Sequence, residues 1–456
     1  MPVPCAVCNQ PASHTCSGCK LVNYCSKDHQ KIHWKSEHKG NCKALFKIER
    51  NEVLGRYVVA TRDIKKGELI FHEPPLVVGP KAVSLPVCLG CHELVDIQNY
   101  HECDGCGFPL CSAKCQVSDY HFDECRLMME KKYRAKFDMN EEKLQKETRY
   151  FPIVPLRCLL LQNSNPEKYK KLMDLQSHLE EKMKTPLFAL YKKHVADFLK
   201  ERLGLEHDEK TILSISGILD TNAFEVGSSE AKTSRLRGLY STASMIAHSC
   251  KPNTRHTFYG TDFMIAVSAT TDIAAGETIF ATYTQTFWGT MARREHLKNI
   301  KCFDCCCVRC SDRTELGTYL GAIRCTKCKL PEVILDGPYV VSTEPLNSSA
   351  NWKCQNCEYS ISGRQIKYGN DSLKEEIMRI NKRSPEEFEK FISKYSKDPD
   401  SSVLHPKNYH ILQVKHALIQ LYGNIPGYLL SGKHNETVKK NLLALHDVKT
   451  RPKFKS

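Results

Sequence analysis

Cysteine pairs of the form C-x2-C recur eight times along this 456-residue chain. Two thiols three positions apart fill adjacent corners of a tetrahedral zinc site, so each pair calls for a tight backbone knuckle and further ligands from elsewhere. A chain with this many half-sites folds into several metal-clamped modules, and the question becomes what the clamps hold.

The length corresponds to roughly two to four domains. It is long enough to bury a large core, so metal need not replace packing everywhere. The opening Met1-Pro2-Val3-Pro4-Cys5 has neither a basic n-region nor an apolar h-region, which predicts no secretory export. No apolar run approaches the ~18 residues of a membrane span. Outside the secretory route thiols stay reduced, which favours zinc over disulfides. The formal net charge of +14 overstates the basicity. With about 21 thiolates on about six zinc ions it falls to about +5. Lysines such as Lys65-Lys66, Lys131-Lys132, Lys192-Lys193 and Lys439-Lys440 are dispersed, as on a solvated surface rather than a nucleic-acid stripe.

Four segments hold the ligands. Residues 5–42 offer Cys5, Cys8, Cys16, Cys19, Cys25, His29, His38 and Cys42, enough for two tetrahedral sites. Interleaved pairing suits a segment too short for its own core: Cys5, Cys8, Cys25 and His29 on one ion, Cys16, Cys19, His38 and Cys42 on the other. His33, one turn from His29, is a rival ligand. Residues 88–125 repeat the plan, with Cys88, Cys91, Cys111 and Cys115 on one ion and Cys103, Cys106, His121 and Cys125 on the other. The third segment, Cys302, Cys305, Cys306, Cys307 and Cys310, has one thiol too many for one ion, and spacing alone does not choose among them; Cys250 is a remote candidate. The fourth, Cys325, Cys328, Cys354 and Cys357, reads as a closed, structural zinc ribbon.

Because these sites look closed, chemistry has to come from elsewhere. Three other stretches stand out: Leu54 to Glu68, a strand-turn-strand with Gly55 and Gly67; the polar cluster Ser244 to Asn253; and the strand Gly276 to Tyr283. Taken alone, Tyr283 reads as a core aromatic and Asn222 as a turn or cap residue.

In order, however, "GRYVVATRDIKKGELIF", "HSCKPN", "GETIFATY" and "CFDCCCVRC" resemble a SET domain with its post-SET cysteines, and "HWKSEHKGNC" closes a ligand run similar to a MYND zinc finger. A second finger placed inside the SET domain resembles the SMYD family of protein lysine methyltransferases, and the extra finger in front resembles its arthropod branch. The resemblance implies an α+β fold: a β-rich SET domain split by an inserted MYND zinc finger, with an extra N-terminal MYND finger, a zinc ribbon and a C-terminal helical region. The implied domains are 1–42 and 88–125 (fingers), 43–87 and 216–290 (SET), 126–215 (helical insertion), 291–311 (post-SET), 318–360 (ribbon) and 364–456 (helical).

Carried over residue by residue, the resemblance implies a post-SET zinc on Cys250, Cys305, Cys307 and Cys310, leaving Cys158, Cys302 and Cys306 as free thiols. It implies a site for S-adenosylmethionine with Gly55 and Arg56 contributing backbone, Asn222 its side chain, Ser244, Ile246 and His248 the lining, and Phe303 a packing face. Tyr283 would be the active-site tyrosine. The chain departs from the family at three positions: the usual N-H-S-C begins with Ala247, the second glycine of G-x-G is Tyr57, and the second active-site tyrosine is Lys301. Loss of the asparagine amide is worth roughly 1–3 kcal/mol if its partner is left unsatisfied.

The expected activity is methyl transfer to lysines of histone or other proteins, tied to transcriptional regulation in nucleus and cytoplasm. The alternative is a weak or inactive SET-fold adaptor whose MYND fingers bind proline-containing peptides of corepressors. Direct DNA binding is not expected, since neither finger shows a groove-reading helix. Residues 126–215 and 364–446 read as helical, with a capping box at Ser384-Pro385-Glu386-Glu387 and a C-terminal cap at Gly423.

Overall fold

The computed structural model describes residues 4–12, 14–144, 147–227, 236–328, 338–396, 403–422 and 425. The chain divides into two units, Met1–Ala247 with Pro252–Ala281, and His248–Lys251 with Thr282–Ser456. Gly423 and the tail from 426 lie outside the described residues, so the cap expected there is not seen.

The first unit begins with the N-terminal finger and then a hairpin, Phe46–Asn51 paired antiparallel with Gly55–Ala60. The Asn51 side-chain oxygen accepts the backbone N–H groups of Val53 and Leu54, turning the chain, and Gly55 completes the turn at φ +66. Two three-stranded antiparallel sheets follow. One sets Met264–Ala269 between Thr254–Tyr259 and Leu69–Glu73; the other sets Leu236–Leu239 between Val77–Pro80 and Phe224–Val226. Asn253 latches the strand after them, donating to Thr278 O (2.9 Å) and accepting from Phe280 N (2.7 Å).

Helices of the same unit pack around a core that includes Phe108, Tyr150, Leu156, Leu199 and Ile215. Helix Ile153–Ser164 holds Pro155 in its first turn, where its lack of an N–H costs nothing. Asn165 ends it and caps the next helix, Pro166–Met173, accepting from Lys168 N. Helix Asp119–Glu130 carries finger ligands His121 and Cys125 and runs past the boundary expected at 125. Helix Glu209–Asn222 likewise crosses the boundary expected at 215, because its buried apolar face is continuous from Ile212 to Leu219.

The second unit holds helix Thr290–Lys301, the post-SET cysteines, and a four-stranded antiparallel ribbon in the order 323–324, 339–342, 352–354, 360–361. Helices Gly363–Arg379, Pro385–Ser396 and Tyr409–Leu421 bury Leu373, Phe388, Phe391, Ile411, Val414 and Leu418 together. The complete capping box lies at Ser362 and Gln365. At the position expected to carry it, Ser384 accepts Glu387 N, but the Glu387 carboxylate takes Asn381 N instead. Ser384 N is already bonded to Asn381 O, which leaves the Glu387 carboxylate for Asn381 N.

Candidate active site and zinc centres

None of the 24 cysteines is in a disulfide. Instead, sulfur pairs stand one tetrahedral edge apart, ~3.8 Å for zinc–sulfur bonds of ~2.3 Å. Cys8–Cys25, Cys16–Cys42, Cys103–Cys125, Cys250–Cys310 and Cys325–Cys357 are all 3.6 Å apart, and Cys328–Cys354 3.7 Å. Three groups of four converge as the interleaved reading expects: Cys5, Cys8, Cys25, His29; Cys16, Cys19, His38, Cys42; and Cys103, Cys106, His121, Cys125. So do the set the resemblance implies, Cys250, Cys305, Cys307, Cys310, and the ribbon set, Cys325, Cys328, Cys354, Cys357. For the remaining set, Cys91 lies 3.6 Å from Cys111, and Gly90 packs so closely on Cys115 that a Cβ there would collide with its carbonyl. Donor type and spacing therefore fit zinc.

The rival histidine is resolved by its partners. His29 Nδ1 lies 3.1 Å from Cys25 Sγ, whereas His33 Nδ1 faces the Tyr24 hydroxyl at 3.0 Å. His38 and His121 present Nε2 to their sulfurs. Behind His121, the Glu124 carboxylate stands 3.5 Å from Nδ1, and Arg157 clamps that carboxylate. A carboxylate behind a ligating imidazole fixes its tautomer and orientation. Arg157 also donates to Val78 O (2.7 Å) and Leu89 O (3.0 Å), tying the inserted finger to helix and sheet. Sequence reasoning missed this residue, although a lone arginine in the apolar run from Phe151 to Leu161 was a legible signal.

On the first unit lie Gly55, Arg56, Asn222, Ser244 and Ile246. Gly55 is exposed, and a Cβ there would meet nothing within 4 Å, so its backbone is open to approach. The Arg56 side chain is engaged by the Asp174 carboxylate and carbonyl. Tyr57 sits in ordinary extended backbone with its hydroxyl on Glu49 (3.2 Å), so the missing glycine causes no strain. The Asn222 amide donates both hydrogens, to Gln176 O and Ile218 O at 2.8 Å each; what it can offer a ligand is its oxygen. The Ser244 hydroxyl donates to Asn222 O (3.1 Å), bringing these two together, and Ile246 is buried beyond.

On the second unit the decisive contact is made by His248. Its Nδ1 accepts the backbone N–H of Tyr283 at 3.0 Å, which leaves the proton on Nε2, facing Cys250 Sγ at 3.2 Å. Burial pushes His248 down to about 4, so the imidazole is neutral near pH 7. The rings of Tyr283 and Phe303 lie 5.1 and 5.9 Å from the His248 ring. Burial also raises the Tyr283 phenol, which stays protonated. Lys301, ending its helix, puts Nζ 5.5 Å from the centre of the Tyr283 ring. His248, expected to line a donor pocket, uses its two ring nitrogens to link the Tyr283 backbone to the Cys250 thiol.

The SET domain profile matches residues 55–284 and the MYND finger profile residues 5–42. SET domain-containing protein SmydA-8, isoform A, of Drosophila melanogaster is 31% identical over 354 residues, covering 76% of this chain and 72% of that protein.

The chain belongs to the SMYD family of SET domain proteins.

Histone-lysine N-methyltransferase ASHR1 of Arabidopsis thaliana is 24% identical, covering 79% of this SMYD protein and 72% of that one. Histone-lysine N-methyltransferase SMYD3 of Homo sapiens is 26% identical, covering 56% and 59%. No helix among the described residues of the SMYD chain is long and apolar enough to cross a membrane.

One further residue of this SMYD protein had no sequence signal. Arg293, fully buried, bonds Glu315 (2.6 Å), Thr290 Oγ1 (2.9 Å) and Cys250 Sγ (3.2 Å). With zinc bound, it would offset the negative charge that four thiolates on one ion carry. Of the thiols left over, Cys158 is buried with its pKa pushed up to about 12, Cys302 caps a helix at φ +59, and Cys306 is exposed.

Proposed function

We propose that this protein is an S-adenosylmethionine-dependent lysine methyltransferase acting on histone or non-histone proteins, serving transcriptional regulation in nucleus and cytoplasm. The link from Cys250 through His248 to the Tyr283 backbone carries the reading, because it holds a protonated tyrosine rigid inside the SET segment. When bound, S-adenosylmethionine supplies an electrophilic methyl group on a sulfonium. What the protein has to add is alignment, which alone lowers a bimolecular barrier substantially. Gly55 offers approachable backbone, Asn222 an acceptor oxygen held by its own amide bonds, and Ser244 and Ile246 a wall braced against Asn222. Tyr283 offers a hydroxyl to the incoming amine rather than a base. The post-SET zinc would be held by Cys250, Cys305, Cys307 and Cys310, and the exposed Ile32 and Trp34 of the N-terminal finger suit a proline-containing peptide.

A second reading, an adaptor with weak or no transfer, is favoured by Lys301. An ammonium 5.5 Å from the Tyr283 ring opposes both a sulfonium and a second ammonium. Calorimetry with S-adenosylmethionine separates the two: no heat at millimolar donor overturns the enzyme. If donor binds, radiolabel transfer by the wild type that disappears in Tyr283→Phe supports it, and a gain in Lys301→Tyr identifies Lys301 as the brake.

A further inference from the structure

The N-terminal finger reaches into the SET core through one residue. Lys20 directly follows zinc ligand Cys19, and the knuckle holds it: Lys20 N donates to Cys16 O (2.9 Å) and its φ is +57. Its carbonyl accepts His72 N at 3.1 Å, and its ammonium meets the Glu73 carboxylate at 3.0 Å and the Thr242 hydroxyl. Glu73 is 4% exposed. Its two oxygens accept from Thr242 N (2.7 Å), Ala243 N (2.7 Å) and Ser241 Oγ (2.9 Å). Those donors open the single helical turn Ala243–Met245, which carries Ser244, itself bonded to Asn222 O. Among the described residues the ion pair of this buried carboxylate is with Lys20, and removing one partner of a buried ion pair is strongly destabilising.

We propose that Lys20 is a positioning residue for the donor site, so that the zinc-bound N-terminal finger and methyl-donor binding are energetically coupled. The inference rests on the reading that Ser244 and Ile246 line that site. The coupling runs from the Cys16–Cys19 knuckle through Lys20 and Glu73 to the turn at 241–245, and then to Asn222. It gives the extra finger a role other than peptide capture: an integral brace of the SET core. By linkage, donor binding must equally stabilise the finger's zinc knuckle.

The test compares full-length wild type with Lys20→Met, Lys20→Arg, Glu73→Gln and, as a control on the same finger, the exposed Lys31→Met. Amide exchange of residues 241–246 is read without donor, and the S-adenosylmethionine Kd by calorimetry. Lys20→Met and Glu73→Gln are expected to raise exchange at Thr242 and Ala243 by about tenfold and to weaken donor binding by about fivefold or more. Lys20→Arg restores both, and Lys31→Met changes neither. Zinc content equal to wild type shows that each variant keeps its fingers. Wild-type exchange in both Lys20→Met and Glu73→Gln overturns the coupling, whatever calorimetry gives. Absent donor heat in the wild type overturns the donor-site reading, whatever exchange gives. Loosened exchange with unchanged Kd overturns Lys20 as a positioning residue and leaves it structural.

Discussion

Replacing Arg293 with Met tests whether the post-SET zinc is braced by charge. The guanidinium is fully buried and bonds Glu315, Thr290 Oγ1, Trp288 O and Cys250 Sγ. Methionine fills much of the volume but makes none of these bonds. Leaving the Cys250 contact aside, one ionic bond at about 1.5–3 kcal/mol and two to neutral oxygens at about 0.5–1.5 kcal/mol each sum to roughly 2.5–6 kcal/mol. Independently, stranding one member of a buried ion pair costs about 3–5 kcal/mol, and Glu315, 4% exposed, would be that stranded charge. Both routes converge on about 3–5 kcal/mol, before any weakening of zinc by unbraced thiolates. Urea melts of zinc-replete protein at pH 7, followed by tryptophan fluorescence, read it directly, since Trp288 contributes one of the lost bonds and Trp352 lies in the same unit. Arg293→Lys should fall between, because an ammonium keeps Glu315 but not the planar fork. A loss below about 1 kcal/mol in Arg293→Met would refute the charge-brace argument. Arg293→Met/Glu315→Leu should recover part of the loss, since removing both charges of a buried pair is often near neutral.

Cys305→Ser should lower the zinc content by one equivalent in elemental analysis and cost several kcal/mol of stability, of the order of ~3 or more; unchanged metal would remove Cys305 from the ligand set. Arg157→Met should destabilise by about 3–5 kcal/mol in the same melts, because it strands the buried Glu124 behind His121; a loss within about 0.5 kcal/mol would show that Glu124 needs no partner. Burial, with Lys374 adding to it, pushes His410 down to about 4, against ~6.5 in the unfolded chain. The unfolded state then binds more protons, so stability present above pH ~6.5 is lost as pH falls toward ~4, up to about 3 kcal/mol in all. Melts across that range should be flatter for His410→Leu than for wild type by that amount, and parallel curves would count against a neutral buried His410.

How much was legible follows from the range of each interaction. Zinc knuckles are local, so the finger and ribbon sets could be read from spacing, whereas the post-SET set needed the resemblance; the histidine choice at 29 over 33 needed the Tyr24 hydroxyl beside His33. Caps were only half legible. Ser384 has the right neighbours in sequence, yet Glu387 turns to Asn381, and the complete box formed at Ser362 and Gln365. Tyr283 and His248 were visible through their order in the SET pattern, but not that His248 would spend both ring nitrogens on Tyr283 and Cys250.

By itself, then, the sequence determined the modules: short-range thiol geometry, strand alternation and motif order specify fingers, SET core and ribbon. Only the tertiary structure decided which single residues tie elements together within each unit. Lys20 meets Glu73 across 53 positions and Thr242 across 222, Arg157 meets Glu124 across 33, and Arg293 meets Cys250 across 43. A buried ion pair needs only one residue from each strand or helix, so it leaves no periodicity to read. It forms because the fold removes water from both charges at once, and an unpaired charge there would be too costly to keep.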